Sequence, residues 1–297
     1  MKNIIEEFKK SNISFDITTT DEAVKVLKNE FSAHRLLDVS VIFDKYKTGV
    51  NAGKFVKLDF GDLYSLAALD FKFSQLLMYI CLEIEKSLKT ILTYNVRQRY
   101  DTQSFLIEYY NIDKEHIDRF YAKDNLDVLK LTDEVFNIET IEFENFLELV
   151  QFGTLERIIH YYCKSADNKE KNDILQVETE LYSIRRIRNM VAHGNCLLSK
   201  IYIPNDYKNL KLATLLGKHG IKNRNLTCNL SKAIVSDICN LLYVYFVIVP
   251  NAEVNKFEEF DLYYNQRATS LIKQNSLINS IYPFFVNTIN ILKECEF

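Results

Sequence analysis

Apolar residues recur at three- and four-residue steps along most of this chain, the spacing of one face of an α-helix. The longest such pattern runs from Gly61 to about Arg99. There Leu66, Phe73, Leu77, Ile80, Ile84, Leu88 and Ile91 form one stripe. Shorter helices are predicted over 2–10, over 20–31, within 32–47 and within 102–140, the last including Leu126–Phe136. Thr19, followed three residues later by Glu22, reads as a capping box for the second of these. Residues 13–20, ISFDITTT, are β-branched and read as extended. A helix over 141–163 is expected to break near Phe152-Gly153-Thr154, and another spans 171–193. Further helices are expected over 207–217, over 231–249 up to Pro250, and over 265–295 with a break near Pro283. Ile201–Asn205, which contains Pro204, reads as a loop. Thr48–Gly53, with two glycines and an asparagine, reads as a linker. It divides a helical N-terminal extension, 1–55, from a helical domain, 56–297.

Composition narrows the fold class. The 297 residues are 47% apolar and 26% charged, which fits a packed globular chain. Only 7 Gly and 3 Pro occur, against typical usage of roughly 7% and 5%. Sandwiches and barrels need many Gly/Pro turns, and a doubly wound α/β domain usually carries a Gly-rich loop, so a mostly helical protein is left. The longest nearly apolar run, Ile238–Val249, is interrupted by Asn240 and is about 12 residues against the roughly 20 a bilayer span needs, so no membrane is expected. The first ten residues, MKNIIEEFKK, are charged and do not read as a secretory signal. Six scattered cysteines without a C-x-x-C pair read as reduced thiols of a cytoplasmic protein.

Bulk charge is uninformative: 37 basic minus 40 acidic side chains gives −3. Its distribution is not. Residues 101–150 carry 13 acids and 4 bases, whereas 181–232 carry 4 Arg and 6 Lys against the single acid Asp206. A net +9 segment in a −3 chain points to a local anion-binding surface.

That segment opens with Arg185-Arg186-Ile187-Arg188-Asn189-Met190-Val191-Ala192-His193-Gly194-Asn195. Val177, Leu181, Ile184 and Val191 make an apolar stripe, and Arg188 falls inside it, so it needs a partner: an acid, a carbonyl, a second protomer or a phosphate. Arg188 and His193 lie about 140° apart on an ideal helix. They can meet at one small group in two ways. Gly194 can end the helix and free His193 to swing, or two copies of the helix can assemble the site. Arg186, Asn189 and His193 do share a face, and Asn189 is placed to hydrogen-bond the imidazole. A histidine suits general acid–base work and a guanidinium suits a phosphate clamp. Together they fit metal-free RNA cleavage, in which the ribose 2′-OH attacks its own phosphate. On the long helix Glu85 and Lys89 form an i,i+4 pair beside the stripe, either an ordinary helical ion pair or a support for groups on a neighbouring helix.

Arg188-Asn189-Met190-Val191-Ala192-His193 resembles the R-N-x-x-A-H form of the HEPN ribonuclease motif. The surroundings resemble the Abi-like (abortive infection, D/F type) proteins. Leu63-Tyr64-Ser65-Leu66 with Leu69-Asp70-Phe71 is similar to their LYxFD element. Residues 76–92, with Glu85 and Lys89, resemble a helix of that family, and Phe152-Gly153-Thr154-Leu155 its F-G-T-L element. Ser32-Ala33-His34-Arg35-Leu36 resembles its N-terminal segment. The resemblance spans residues 3 to 200. It implies an all-helical HEPN-type bundle, here with a small N-terminal extension and extra C-terminal helices. It also implies a homodimer whose motifs meet at the interface, RNA cleavage and phage defence as a toxin. An antitoxin, RNA or protein, would hold it in check. Arg188, Asn189 and His193 would be catalytic, with Glu85, Lys89, Arg185 and Arg186 in support. A non-catalytic module of the same fold, binding RNA or protein, is the alternative.

Lys208, Lys211 and Lys222 are the candidate phosphate contacts of the basic segment, with Tyr202 and Tyr207 as stacking residues or loop packing. His160 and Cys163 stand at i,i+3, but no second pair at metal spacing accompanies them, so neither metal nor cofactor is expected.

Overall fold

In a computed structural model of the chain, residues 2–121, 137–165, 173–205 and 209–295 are described. The described residues form an all-α fold. The one sheet is a parallel pair of two-residue strands, β1 (Ile13–Ser14) and β2 (Leu58–Asp59). The N-terminal helices are α1 (Lys2–Lys10), α2 (Thr20–Asn29) and α3 (Ala33–Val39). Then come α4 (Phe60–Arg99), α5 (Thr102–Tyr121), α6 (Phe143–Leu149), α7 (Phe152–Ser165), α8 (Asp173–Val177) and α9 (Leu181–Ala192). The C-terminal part holds α10 (Leu210–Lys218), α11 (Asn223–Leu230), α12 (Ala233–Ile248), α13 (Asn255–Arg267), α14 (Ser270–Gln274) and α15 (Ser276–Glu294).

Local signals place several of these ends. The capping box at α2 is formed: Glu22 N–H donates to Thr19 Oγ1 at 3.3 Å, and Thr19 N–H donates to Glu22 Oε2 at 2.9 Å. A second box opens α4, where Asp59 and Asp62 exchange the same bonds. Asp59 Oδ2 also accepts from the Ser14 hydroxyl at 2.6 Å and the Asp16 amide at 2.7 Å. Asp62 Oδ1 accepts from the Thr269 hydroxyl at 2.5 Å. The start of α4 therefore anchors both the N-terminal segment and the C-terminal helices. Gly61 makes this approach possible: a Cβ there would lie 2.8 Å from Ile17 Cγ2 and from Thr18 Oγ1.

α4 is the axis of the molecule, about 60 Å long at 1.5 Å per residue. It packs against α3, α9, α12 and α13, so it buries far more than one stripe. Leu66, Leu77, Ile80, Ile84 and Leu88 are buried as expected, while Phe73 and Ile91 are half-buried at its margin. α12, apolar on nearly every side, fills the core beside α4 and α9. By length and composition α4 is long and apolar enough to cross a membrane, and 61% of its most apolar window is buried within the fold. Uninterrupted runs missed it because polar residues punctuate it. All six cysteines are unpaired.

Several boundaries differ from the sequence expectation. The 141–163 helix breaks at Val150–Gln151, ahead of Gly153, which sits in the first turn of α7. The 171–193 pattern is two helices joined by a 3-10 turn at Glu178–Glu180. Pro283 does not break the last helix; it lies inside α15, and the chain bends instead at Ala268–Thr269 and Asn275. A proline costs the helix one backbone bond, and burial of Ile281, Phe284, Thr288 and Leu292 holds α15 together on both sides of it. Thr48–Gly53 is a tight excursion closed by Tyr46 N–H to Lys54 O at 2.9 Å and Gly53 N–H to Tyr46 O at 2.8 Å. The expected Leu126–Phe136 helix lies outside the described residues.

Candidate active site

α9 turns its apolar residues, Leu181, Ile184, Ile187 and Val191, onto α4 and α12. It ends in a Schellman motif: Asn195 N–H donates to Met190 O at 3.0 Å and Gly194 N–H to Val191 O at 3.1 Å. Gly194 has φ +64, a left-handed conformation that a side chain would strain. His193 is the C-cap residue, and its imidazole is exposed. The cap thus holds His193 at the surface of a defined helix end. Asn189, one turn earlier, is exposed on the same side. Its contact with His193 is through the backbone, His193 N–H to Asn189 O at 3.1 Å.

Arg188 takes the opposite direction. It is half-buried, and its Nε is buried with no hydrogen-bond partner among the described residues. Its charge acts on the Cys81 thiol of α4, as does that of Glu85. Burial pushes that thiol up to about 12, Arg188 lowers it and Glu85 raises it. Glu85 belongs to this inner surface and pairs with Lys89 at 3.5 Å, which also reaches Glu148 at 3.6 Å. One chain therefore does not turn Arg188 and His193 toward a common point. It presents them on two faces of α9.

The other two motif arginines are held from behind. Arg185 Nε lies 3.2 Å from Glu156 of α7, and Arg186 Nε lies 3.4 Å from the buried Asp237 of α12. Burial raises both carboxyls and the arginines oppose it. A Cβ on Gly153 would lie 3.5 Å from Arg185 Cδ, so the F-G-T-L element meets the motif helix here. The start of α9 is fixed by a buried polar chain. Asn209 Nδ2 donates to Glu180 at 2.7 Å and to Asn240 at 3.0 Å, and Asn240 donates to Ser183 at 3.1 Å.

Sequence reasoning missed a clamp behind the helix end. Arg35 of α3 pairs with Asp70 of α4 at 2.5 Å, and its other terminal nitrogen donates to the Gly194 carbonyl at 2.7 Å. Asp70 also accepts from the amides of Leu197 at 3.4 Å and Leu198 at 3.1 Å. The pair is nearly water-free, with side chains 13% and 1% exposed. Burial raises the Asp70 carboxyl, while Arg35 and the two amides lower it. Three segments distant in the chain are thereby locked around the residues that follow His193. The available signal was a charge set in apolar runs, Asp70 between Leu69 and Phe71 and Arg35 before Leu36.

Of the basic-segment candidates, Lys211 is exposed on α10 and acts on Glu180 at the start of α9. Lys222 is exposed, and so is Tyr202 at 63%. Among the described residues no side-chain hydrogen bond, ion pair or ring contact joins these two to α9. Lys208 and Tyr207 lie outside the described residues. His160 pairs with Glu178, and no cluster of three metal-ligating side chains forms among the described residues.

No curated protein and no solved structure matches the chain. A family model described as Abi-like protein matches residues 29–199, or 171 of 297. The matched span begins just before Arg35 and ends just after Leu198, so it contains the clamp, Glu85 and all of α9. The chain therefore belongs to the Abi-like family, a membership that points to an abortive-infection protein.

Proposed function

We propose that this protein is a HEPN-type endoribonuclease acting as an abortive-infection toxin, with a composite site made by two copies of α9. The observation that carries the reading is the split on that helix: an exposed histidine on a fixed cap, and an arginine whose buried Nε has no hydrogen-bond partner among the described residues. An isologous contact brings each motif beside its copy. The two copies then supply a histidine pair and an arginine pair around one phosphate.

In this reading the O2′–P bond forms and the P–O5′ bond breaks. One His193 takes the 2′-OH proton and its counterpart gives a proton to the departing O5′. Arg188 meets the charge that builds on the phosphoryl oxygens. The products are a 2′,3′-cyclic phosphate and a 5′-OH, and no metal or cofactor takes part. Asn189 orients the imidazole. Arg185 and Arg186, with Lys211 and Lys222, receive flanking phosphates, so affinity falls with salt. Glu85 and Lys89 support the inner surface that carries Arg188. A growth-arresting nuclease needs restraint, so a neutralising partner, RNA or protein, and action in the cytoplasm belong to the proposal.

The test is purified protein incubated with total RNA in EDTA, beside light scattering at micromolar concentration. The expected result is a dimer that yields fragments ending in 2′,3′-cyclic phosphate, and none with His193→Ala. Saturable binding without cutting would make the protein a non-catalytic RNA-binding module.

A further inference from the structure

Tyr182 stands on the same face of α9 as the candidate catalytic histidine. Eleven residues separate it from His193, about 20° beyond three full turns and about 16 Å along the axis. Arg186 and Asn189 fall between them on that face, within about 40° of the line. The Tyr182 ring is 53% exposed although the helix that carries it is fixed in the core.

The arginines beside it are placed rather than loose. The Arg185 guanidinium lies 5.2 Å from the Tyr182 ring centre and that of Arg186 5.8 Å. Glu156 and Asp237 form ion pairs with them at Nε, and neither guanidinium makes a hydrogen bond among the described residues. Their side chains are 34% and 39% exposed, so terminal N–H donors remain open to solvent. A half-exposed aromatic ring with two held, partly exposed guanidiniums over it is an arrangement suited to single-stranded nucleic acid: a base stacks on the exposed part of the ring, and its phosphates meet the donors.

From this we infer that Tyr182 is a stacking subsite for an unpaired base of an RNA substrate, a few nucleotides from the phosphate at His193. The inference rests on the ribonuclease reading and deepens it. Stacking at Tyr182 needs RNA that is unpaired along α9, because a base inside a duplex has no free face to offer. A paired strand covering the same positions is a poor substrate.

The experiment uses 2′-O-methyl oligonucleotides, which lack the attacking hydroxyl, with 2-aminopurine at each position in turn. Wild-type protein quenches the fluorescence at one position through stacking. Tyr182→Phe keeps that quenching, and Tyr182→Ala and Tyr182→Leu lose it. With cleavable RNA, Tyr182→Ala raises KM about tenfold, the low end of what stacking one base contributes, with kcat little changed. Equal quenching and equal KM in wild type and Tyr182→Ala overturn the subsite while leaving the nuclease standing. Wild type that neither binds nor cuts any of these oligonucleotides overturns both.

Discussion

Two arginines lie partly buried near α4, Arg188 on the motif helix and Arg35 behind the end of that helix, and their surroundings differ. Arg35 is fully employed: Asp70 takes its charge, the Gly194 carbonyl takes a further N–H, and the spare acceptors of Asp70 take two amides. Arg188 has a buried Nε with no hydrogen bond among the described residues, and its charge and that of Glu85 both act on the Cys81 thiol. A buried charge without partners costs free energy, and that cost is tolerable when binding supplies what is missing. The contrast separates a structural arginine, whose removal should loosen the fold, from one held ready for something outside the chain.

The largest effect expected is on catalysis. His193→Ala and Arg188→Met should each lower RNA cleavage by about a hundredfold or more, the range for a lost proton-transfer or charge-stabilising group. Growth inhibition should disappear with it. Arg188→Met should nevertheless melt within about 1 kcal/mol of wild type, because it removes a donor that makes no hydrogen bond among the described residues. An Arg188→Met protein that cuts RNA at the wild-type rate would falsify the functional half of the contrast.

Arg35→Met tests the other half. It strands the Asp70 carboxylate in a nearly dry site, and chemical denaturation should show a loss of about 3 kcal/mol or more. Adding Asp70→Asn removes the stranded charge and should recover a large part of that loss. If Arg35→Met and Arg188→Met prove equally destabilising, the distinction between the two arginines collapses.

The same pair predicts a pH signature. Burial raises the Asp70 carboxyl, so the folded state holds its proton to higher pH than the unfolded chain, whose value is about 3.9. Its ionisation therefore works against folding as pH rises from that value through the folded one, and Arg35 offsets this. Arg35→Met should be most destabilising near neutrality, and its gap to wild type should close as pH falls into the carboxylate range. A gap independent of pH would show that Arg35 acts by packing alone.

Gly194→Ala is the smallest of these changes. No atom lies within 4 Å of the added Cβ, so the cost is the left-handed φ, about 1 kcal/mol. Because the cap sets the direction of His193, cleavage should fall more than stability does. Unchanged activity would mean that the imidazole finds its place without the cap.

Much of this is legible in the sequence. The Thr19–Glu22 box, the helix end at Gly194 and the core stripe of α4 depend on residues within a turn or two of each other. The placing of Arg188 on an apolar face and its angle to His193 follow from the helical repeat. Other features were not legible for the same reason. Periodicity could not show that Pro283 lies inside a helix, since packing on both sides decides that. It could not separate Glu85 as a simple partner of Lys89 from Glu85 as part of the surface around Arg188, since both put the residue at the same angle. It passed over Tyr182, which becomes noticeable only when two guanidiniums are pinned beside its ring.

By itself the sequence determined the all-α class, the ends of its clearest helices and the motif helix with its divided faces. Those properties rest on backbone preferences and side-chain spacing, interactions that act over a few residues. The tertiary structure alone decided that Arg35 meets Asp70 and the Gly194 carbonyl, across separations of 35 and 159 residues, while Arg188 Nε is buried with no hydrogen-bond partner among the described residues. A buried charge finds its counterpart through whichever segments pack together, and that choice belongs to the whole core rather than to any stretch of chain.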